Sequence, residues 1–266
     1  MTIVHVNGID IYYEIHGSGP PLVLIMGLRR NAEWWWLQLP ELSKRFTVIA
    51  FDNRGAGRSD KPETDYSIRL FADDTSELMD YLNIPKAHIL GFSMGGYIAQ
   101  ELAINYPDKI KGLILAGTSC GGARGVRMSE DRVEKFQANE GLTPEQILRK
   151  DMDLYFSDRF VREHPERIEE FVEISLRHYQ PAHAFLRQFD ACQKHDTSDR
   201  VHQISAPTLI MTGDDDFLVP TENSFILEEL MPDAILDLFP GCRHCFFMED
   251  YGTFNRYVIK FLKSLD

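Results

Sequence analysis

Apolar positions along this chain follow two alternating rhythms. Short apolar runs at about 22–26, 47–51, 87–90, 111–116, 207–212 and 234–239 read as strands. Between them, apolar residues recur three or four apart, the spacing of one helix face, at 34–43, 68–82, 94–106, 222–231 and 250–264. Strand alternating with helix predicts a mainly parallel sheet covered on both faces. Residues 3–16 differ. They alternate around Asn7-Gly8, a dipeptide suited to a two-residue turn, and read as a hairpin.

Between Thr118 and Ile204 the alternation stops and no strand-like run occurs. Thr143-Pro144-Glu145-Gln146 is a helix start: a capping threonine, proline at the first helical position and glutamine three residues on. Residues 160–179 and 181–192 carry further helical patterns. Leu142, Met152, Leu154, Tyr155, Phe156, Phe171, Ile174, Phe185, Leu186 and Phe189 supply apolar surface, most of it to hold the segment together and some to face a cleft. We read 121–203 as a helical cap inserted into a core made of 1–120 and 204–266. His164, His178, His183 and His195 lack ligand spacing and read as surface or cap-packing residues.

Composition narrows the possibilities. A chain of 266 residues can bury one substantial core with an insertion. Its 44% hydrophobic and 26% charged residues are ordinary for a soluble globular protein. The net charge of −13, from 28 basic and 41 acidic residues, argues against nucleic acid or an anionic membrane as partner, but not against an acidic substrate. No apolar run reaches the roughly 18–20 residues of a membrane span, and Met1 to His5 carry no secretory pattern, so a cytoplasmic location is expected. The four cysteines, Cys120, Cys192, Cys242 and Cys245, are scattered, as in a reduced protein. Cys242 and Cys245 flank His244 as C-x-x-C. A redox switch is one reading; small packing residues is the other, and free cysteine usually behaves that way. No second ligand pair has zinc spacing, so no metal is expected.

The chemistry centres on Gly91-Phe92-Ser93-Met94-Gly95. This G-x-S-x-G pattern follows the 87–90 strand and opens the 94–106 helix, the setting in which it makes a nucleophile elbow. The glycines keep bulk away from a sharp turn that exposes Ser93, and the helix N-terminus behind it offers free N–H groups. A serine hydroxyl is a poor nucleophile alone, so a base and an orienting acid are required. His244 stands in a turn before the last helix, and Asp214-Asp215-Asp216 follow the 207–212 strand. The order serine, aspartate, histidine is that of α/β-hydrolases.

On Gly91 to Gly96, Phe51 to Asp60, Gly213 to Pro220 and the His244 segment, the chain resembles α/β-hydrolase-fold serine hydrolases over essentially its whole length. The resemblance implies that fold, with the helical cap, and a triad without cofactor. The family pattern G-x-x-D-x-x-V-P points to Asp216 as the acid, Asp214 being the alternative. An oxyanion hole needs two backbone donors: Met94, after the nucleophile, and Leu28, after the 22–26 strand. Many relatives carry His-Gly where this chain has Met26-Gly27, so a side chain that usually braces that loop is missing. Arg29 and Arg30 follow. One could meet an acidic substrate group, although charged loop residues are usually just solvated. Among Trp34, Trp35 and Trp36, at least one should bury in the core and one could line the pocket. Gly55 and Gly57 read as a structural turn.

A serine at 93 argues against epoxide hydrolases and haloalkane dehalogenases, which place a carboxylate there. The chain looks most like 3-oxoadipate enol-lactonase and small carboxylesterase members, which implies a small carboxylic ester or lactone as substrate. Carbon–carbon bond hydrolases of ring-cleavage products and cofactor-free perhydrolases are the enzyme alternatives. A triad-retaining small-molecule receptor is the alternative from another class.

Overall fold

The computed structural model describes residues 2–178 and 180–265, so Met1, Tyr179 and Asp266, including the end of the 160–179 pattern, lie outside it. The strands are β1 (Thr2–Val6), β2 (Ile9–His16), β3 (Pro21–Ile25), β4 (Thr47–Phe51), β5 (Ala87–Phe92), β6 (Ile110–Ala116), β7 (Thr208–Gly213) and β8 (Ile235–Phe239). They form one sheet in the order β1-β2-β4-β3-β5-β6-β7-β8. The β1–β2 and β2–β4 pairs are antiparallel, and every pairing from β4 to β8 is parallel. The β1–β2 turn is the two-residue Asn7-Gly8, both with positive φ (47° and 73°), the type I′ geometry that matches strand twist.

The helices in chain order are α1 (Leu39–Leu42), α2 (Ile68–Tyr81), α3 (Met94–Asn105), α4 (Glu130–Gln137), α5 (Pro144–Lys150), α6 (Met152–Tyr155), α7 (Asp158–Glu163), α8 (Pro165–Leu176), α9 (Ala182–Lys194), α10 (Glu222–Leu230), α11 (Phe246–Glu249) and α12 (Tyr251–Lys263). Strand residues alternate between two cores. Leu22 and Leu24 of β3, with Leu90 and Phe92 of β5, join Phe246, Phe254 and Val258 on one face. Val23, Ile25 and Ile89 join Phe71, Ile98 and Leu102 on the other. A parallel sheet covered by helices needs this double burial.

Two helical readings are corrected. The 34–43 pattern is a 3-10 turn at Ala32–Trp35 followed by the separate α1, because Pro40 has no N–H to continue a helix through it. The 160–179 pattern is likewise split, with Pro165 ending α7 and starting α8. Helix α4 went unread, since Phe136 is its one buried residue. Helices α5 to α8 contribute Leu148, Met152, Phe160, Phe171 and Ile174, and Phe156 just after α6 joins them, in the same core as Phe92 and Phe246. The capping box is formed, with Thr143 and Gln146 bonding each other's backbone N–H. No described helix is long and apolar enough to cross a membrane.

Candidate active site

The chain leaves β3 for β4 on one side and enters β5 on the other. Open α/β sheets bind ligands at such a switch point, beyond the carboxyl ends of the strands. Ser93 stands there as the single residue between β5 and α3, with φ 57° and ψ −120°. That conformation costs on the order of 1–3 kcal/mol for a residue with a side chain and persists only where its surroundings dictate it. They do: its N–H donates to Ala116 O at 2.8 Å, and its carbonyl accepts from Gly96 N and Thr118 Oγ1. The flanking glycines are required by close approach. A Cβ on Gly91 would lie 2.2 Å from Gly95 O, and one on Gly95 would lie 2.0 Å from Ile25 O.

His244 sits in the loop after β8 and is buried, with Nδ1 2.7 Å from Asp216 Oδ2. The other oxygen of Asp216 accepts the N–H groups of Leu218 and Val219, both at 2.9 Å. Both carboxylate oxygens are therefore spent, one on the imidazole and one on the loop. The neighbouring aspartates have other partners. Asp214 accepts from Gly241 N across the two loops, and Asp215 meets Arg243 Nε at 3.3 Å. Ser93 and His244 line one cavity of about 670 Å³. Leu28 and Met94, expected to supply the oxyanion donors, line it too.

The bracing lost with Met26-Gly27 comes from elsewhere. Asn53 Nδ2 donates to Met26 O at 2.8 Å, and buried Asp52 accepts from Ala32 N while pairing with Arg58. Gln188 of α9 adds a long-range tie, accepting Arg29 N at 3.0 Å and donating to Arg54 O at 2.7 Å. None of these roles was foreseen. The Phe51 to Asp60 run was visible, but not what it holds.

Several pocket readings change with the geometry. Arg30, expected in a solvated turn, is 6% exposed and lines the cavity; Arg29 also lines it, with its guanidinium 4.4 Å from the Phe185 ring. Trp34 and Trp35 are both buried, and Trp34 reaches the cavity. Phe185 and Phe189 line the cavity, whereas Phe156 is packed against Phe160 and Phe171. His195 is a buried packing residue, as one of the two readings had it, and its place at the cavity was not expected. It lines the cavity and stacks on Tyr97 at 4.4 Å, and burial holds its pKa down at about 4 against an ordinary 6.5. Burial likewise pushes the Cys192 and Cys242 thiols up to about 12, and the Cys245 thiol well up, so the C-x-x-C pair has packing rather than thiolate character.

Glu249 was also overlooked. Its carboxylate accepts from Ser157 N and Oγ at the start of α7 and from Arg243 N beside His244. Burial raises its pKa, partly offset by those bonds.

The family model for the alpha/beta hydrolase fold matches residues 20–251. A protein of Azorhizobium caulinodans named as the carbamate hydrolase RutD is 28% identical over 266 residues, covering 100% of both chains. Among solved structures, the meta-cleavage product hydrolase CumD of Pseudomonas fluorescens is 29% identical with TM-score 0.85, covering 100% of this chain and 98% of that one. Est816, described as an N-acyl homoserine lactone degrading enzyme, is 29% identical with TM-score 0.85, covering 98% of this chain and 100% of that one.

Proposed function

The chain belongs to the alpha/beta hydrolase fold family and is a hydrolase, and from that premise we propose that it cleaves a small carboxylic ester or lactone through an acyl-enzyme on Ser93. The observation that carries this reading is the buried 2.7 Å bond from His244 Nδ1 to Asp216, made at the wall of the cavity that Ser93 also lines. With Nδ1–H donated to Asp216, the lone pair of His244 is on Nε2. There it takes the Ser93 proton as Oγ attacks the carbonyl carbon. The N–H groups of Leu28 and Met94 receive the oxyanion. Collapse expels the alkoxide, which takes the proton back from Nε2. Water then repeats the sequence and frees the acid. Residues 121–203 act as a cap that shapes the acyl and leaving-group pockets, while all the named chemistry stays on the core.

A carbon–carbon bond hydrolase is a second reading, supported by the full-length likeness to CumD. Carbamate hydrolysis is supported in the same way by RutD. One panel separates them: p-nitrophenyl esters of rising acyl length, small lactones, an aryl carbamate and an aromatic ring-fission diketone. Ser93→Ala should remove the preferred activity while keeping the fold, and a fluorophosphonate should label wild type at Ser93 alone. Wild-type turnover by Ser93→Ala would sink the proposal. Near-stoichiometric turnover of every substrate would favour a receptor.

A further inference from the structure

Among the described residues, Arg30, Arg54, Arg58 and Arg243 of the core are buried or nearly so, and three of the four are neutralised as burial demands, Arg243 by Asp158 and Asp215 at 3.0 and 3.3 Å. Arg54 meets Asp74 through Nε and one terminal nitrogen, at 2.9 and 2.6 Å. Arg58 meets Asp52 at 2.8 Å, with Glu14 and Glu33 close by. Arg30 is the exception. It is 6% exposed, and among the described residues no carboxylate pairs with it. Its guanidinium donates one hydrogen bond, to Tyr155 Oη at 3.1 Å, and lies 4.2 Å from the Trp34 ring. The faces of Tyr155 and Phe171 are farther, at 5.4 and 6.0 Å.

A buried cation without an anion is costly. Aromatic faces recover only part of that cost. Guanidinium carries five N–H donors, so most of its hydrogen-bonding capacity is unspent. Arg30 and Trp34 line the cavity that holds Ser93 and His244. The arginine with those donors to spare therefore borders the space a substrate would fill. A planar carboxylate matches the guanidinium fork in charge and geometry. We propose that Arg30 anchors a carboxylate of the substrate, so that the hydrolase acts on acidic esters or lactones; this rests on the reading of Ser93 as nucleophile. The Trp34 ring on one side and the Tyr155 hydroxyl orient the fork.

The carboxylate can belong to the acyl part or to the leaving group, and two substrates separate these. Mono-p-nitrophenyl glutarate carries it on the acyl side and 4-acetoxybenzoate on the leaving side. Each is compared with its methyl ester, which removes the charge and nearly keeps the shape. Wild type should prefer the charged member in at least one pair, by about 10–100-fold in kcat/KM and mainly through KM. Arg30→Gln should bring that ratio close to one, and Arg30→Lys should lie between. Loss of preference in both wild-type pairs, or a preference that survives in Arg30→Gln, would overturn the proposal in favour of a clamp that only joins Trp34 to Tyr155. Should Arg30→Gln fail to fold, calorimetric titration of Ser93→Ala with glutarate and with dimethyl glutarate decides. Binding of the dianion alone supports the anchor, and binding of neither overturns it. If no ester is turned over but glutarate binds Ser93→Ala, the anchor stands and the nucleophile reading falls. If neutral esters are cleaved and glutarate does not bind, the reverse holds.

Discussion

Changing Asp216 to Asn tests the site at one atom. Asp216 and His244 have side-chain exposures of 0% and 2%, so no water can substitute for the lost charge. An amide turned toward Nδ1 offers N–H where an acceptor is needed. The imidazole then carries its proton on Nε2 and faces Ser93 as a donor, unable to take the serine proton. In the serine protease template this wrong tautomer lowers kcat by about 10⁴, equivalent to about 5 kcal/mol of barrier. The loop should hold, because the asparagine oxygen can still accept from Leu218 and Val219. Asp214→Asn keeps an acceptor for Gly241, and Asp215→Asn removes a half-exposed pair with Arg243 worth about 1 kcal/mol or less. Both should leave kcat within about threefold, far from the tautomer effect. Steady-state kcat on the best ester, read beside thermal melts of all three variants, makes the comparison. Equal losses at Asp214 or Asp215, or an Asp216→Asn protein that is folded and within tenfold of wild type, would refute the reasoning.

Other expectations follow from the cavity walls. Phe185→Leu or Phe189→Leu should shift relative kcat/KM among acyl lengths by about 1–3 kcal/mol of discrimination, whereas Phe156→Leu, buried against Phe160 and Phe171, should lower stability without moving the profile. His195 is neutral when folded, its pKa near 4 against 6.5, so its contribution is complete above pH 6.5 and is lost as pH falls through about 4. Denaturant unfolding at pH 5 against pH 7.5 should cost wild type about 2 kcal/mol more than His195→Gln; equal losses would contradict the burial argument. Iodoacetamide should leave Cys242 and Cys245 unmodified in the folded protein at pH 7.5, read by peptide mass spectrometry, since burial keeps both thiols protonated. Activity should survive EDTA, and loss restored by zinc would contradict the proposed chemistry.

What was legible in the residues was mostly local. The β5–Ser93–α3 junction is written within a few positions, because a strand meeting a helix at one residue demands small neighbours at 91 and 95. The sheet followed from alternating rhythms, which report burial on two faces. What escaped depends on partners far away in sequence. Gln188 meets Arg54 across 134 positions, and Glu249 meets Ser157 across 92. Arg30 looked solvated because its neighbours in sequence form a turn, while Tyr155 and Phe171 cover it from a different segment. The place of His195 at the cavity was missed for the same reason: the ring it stacks on, Tyr97, belongs to α3. Proline was the local signal read too lightly, at positions 40 and 165.

The fastening of residues 121–203 to the rest of the chain bears on how such an enzyme could be rebuilt. Glu249 holds Ser157, Gln188 holds Arg29 and Arg54, and His178 meets Glu33 at 3.0 Å. Each clasp joins residues 121–203 to another part of the chain: α11 beside His244, the segments after β3 and β4, and the 3-10 turn at Ala32–Trp35. A segment transplanted from a relative therefore brings more than a new pocket. Unless it supplies a hydroxyl where Ser157 stands and an amide where Gln188 stands, it leaves Glu249 one donor short and Arg29 N–H without its acceptor. Exchanging substrate preference by grafting becomes a problem of matching these few attachment points first and the pocket lining second.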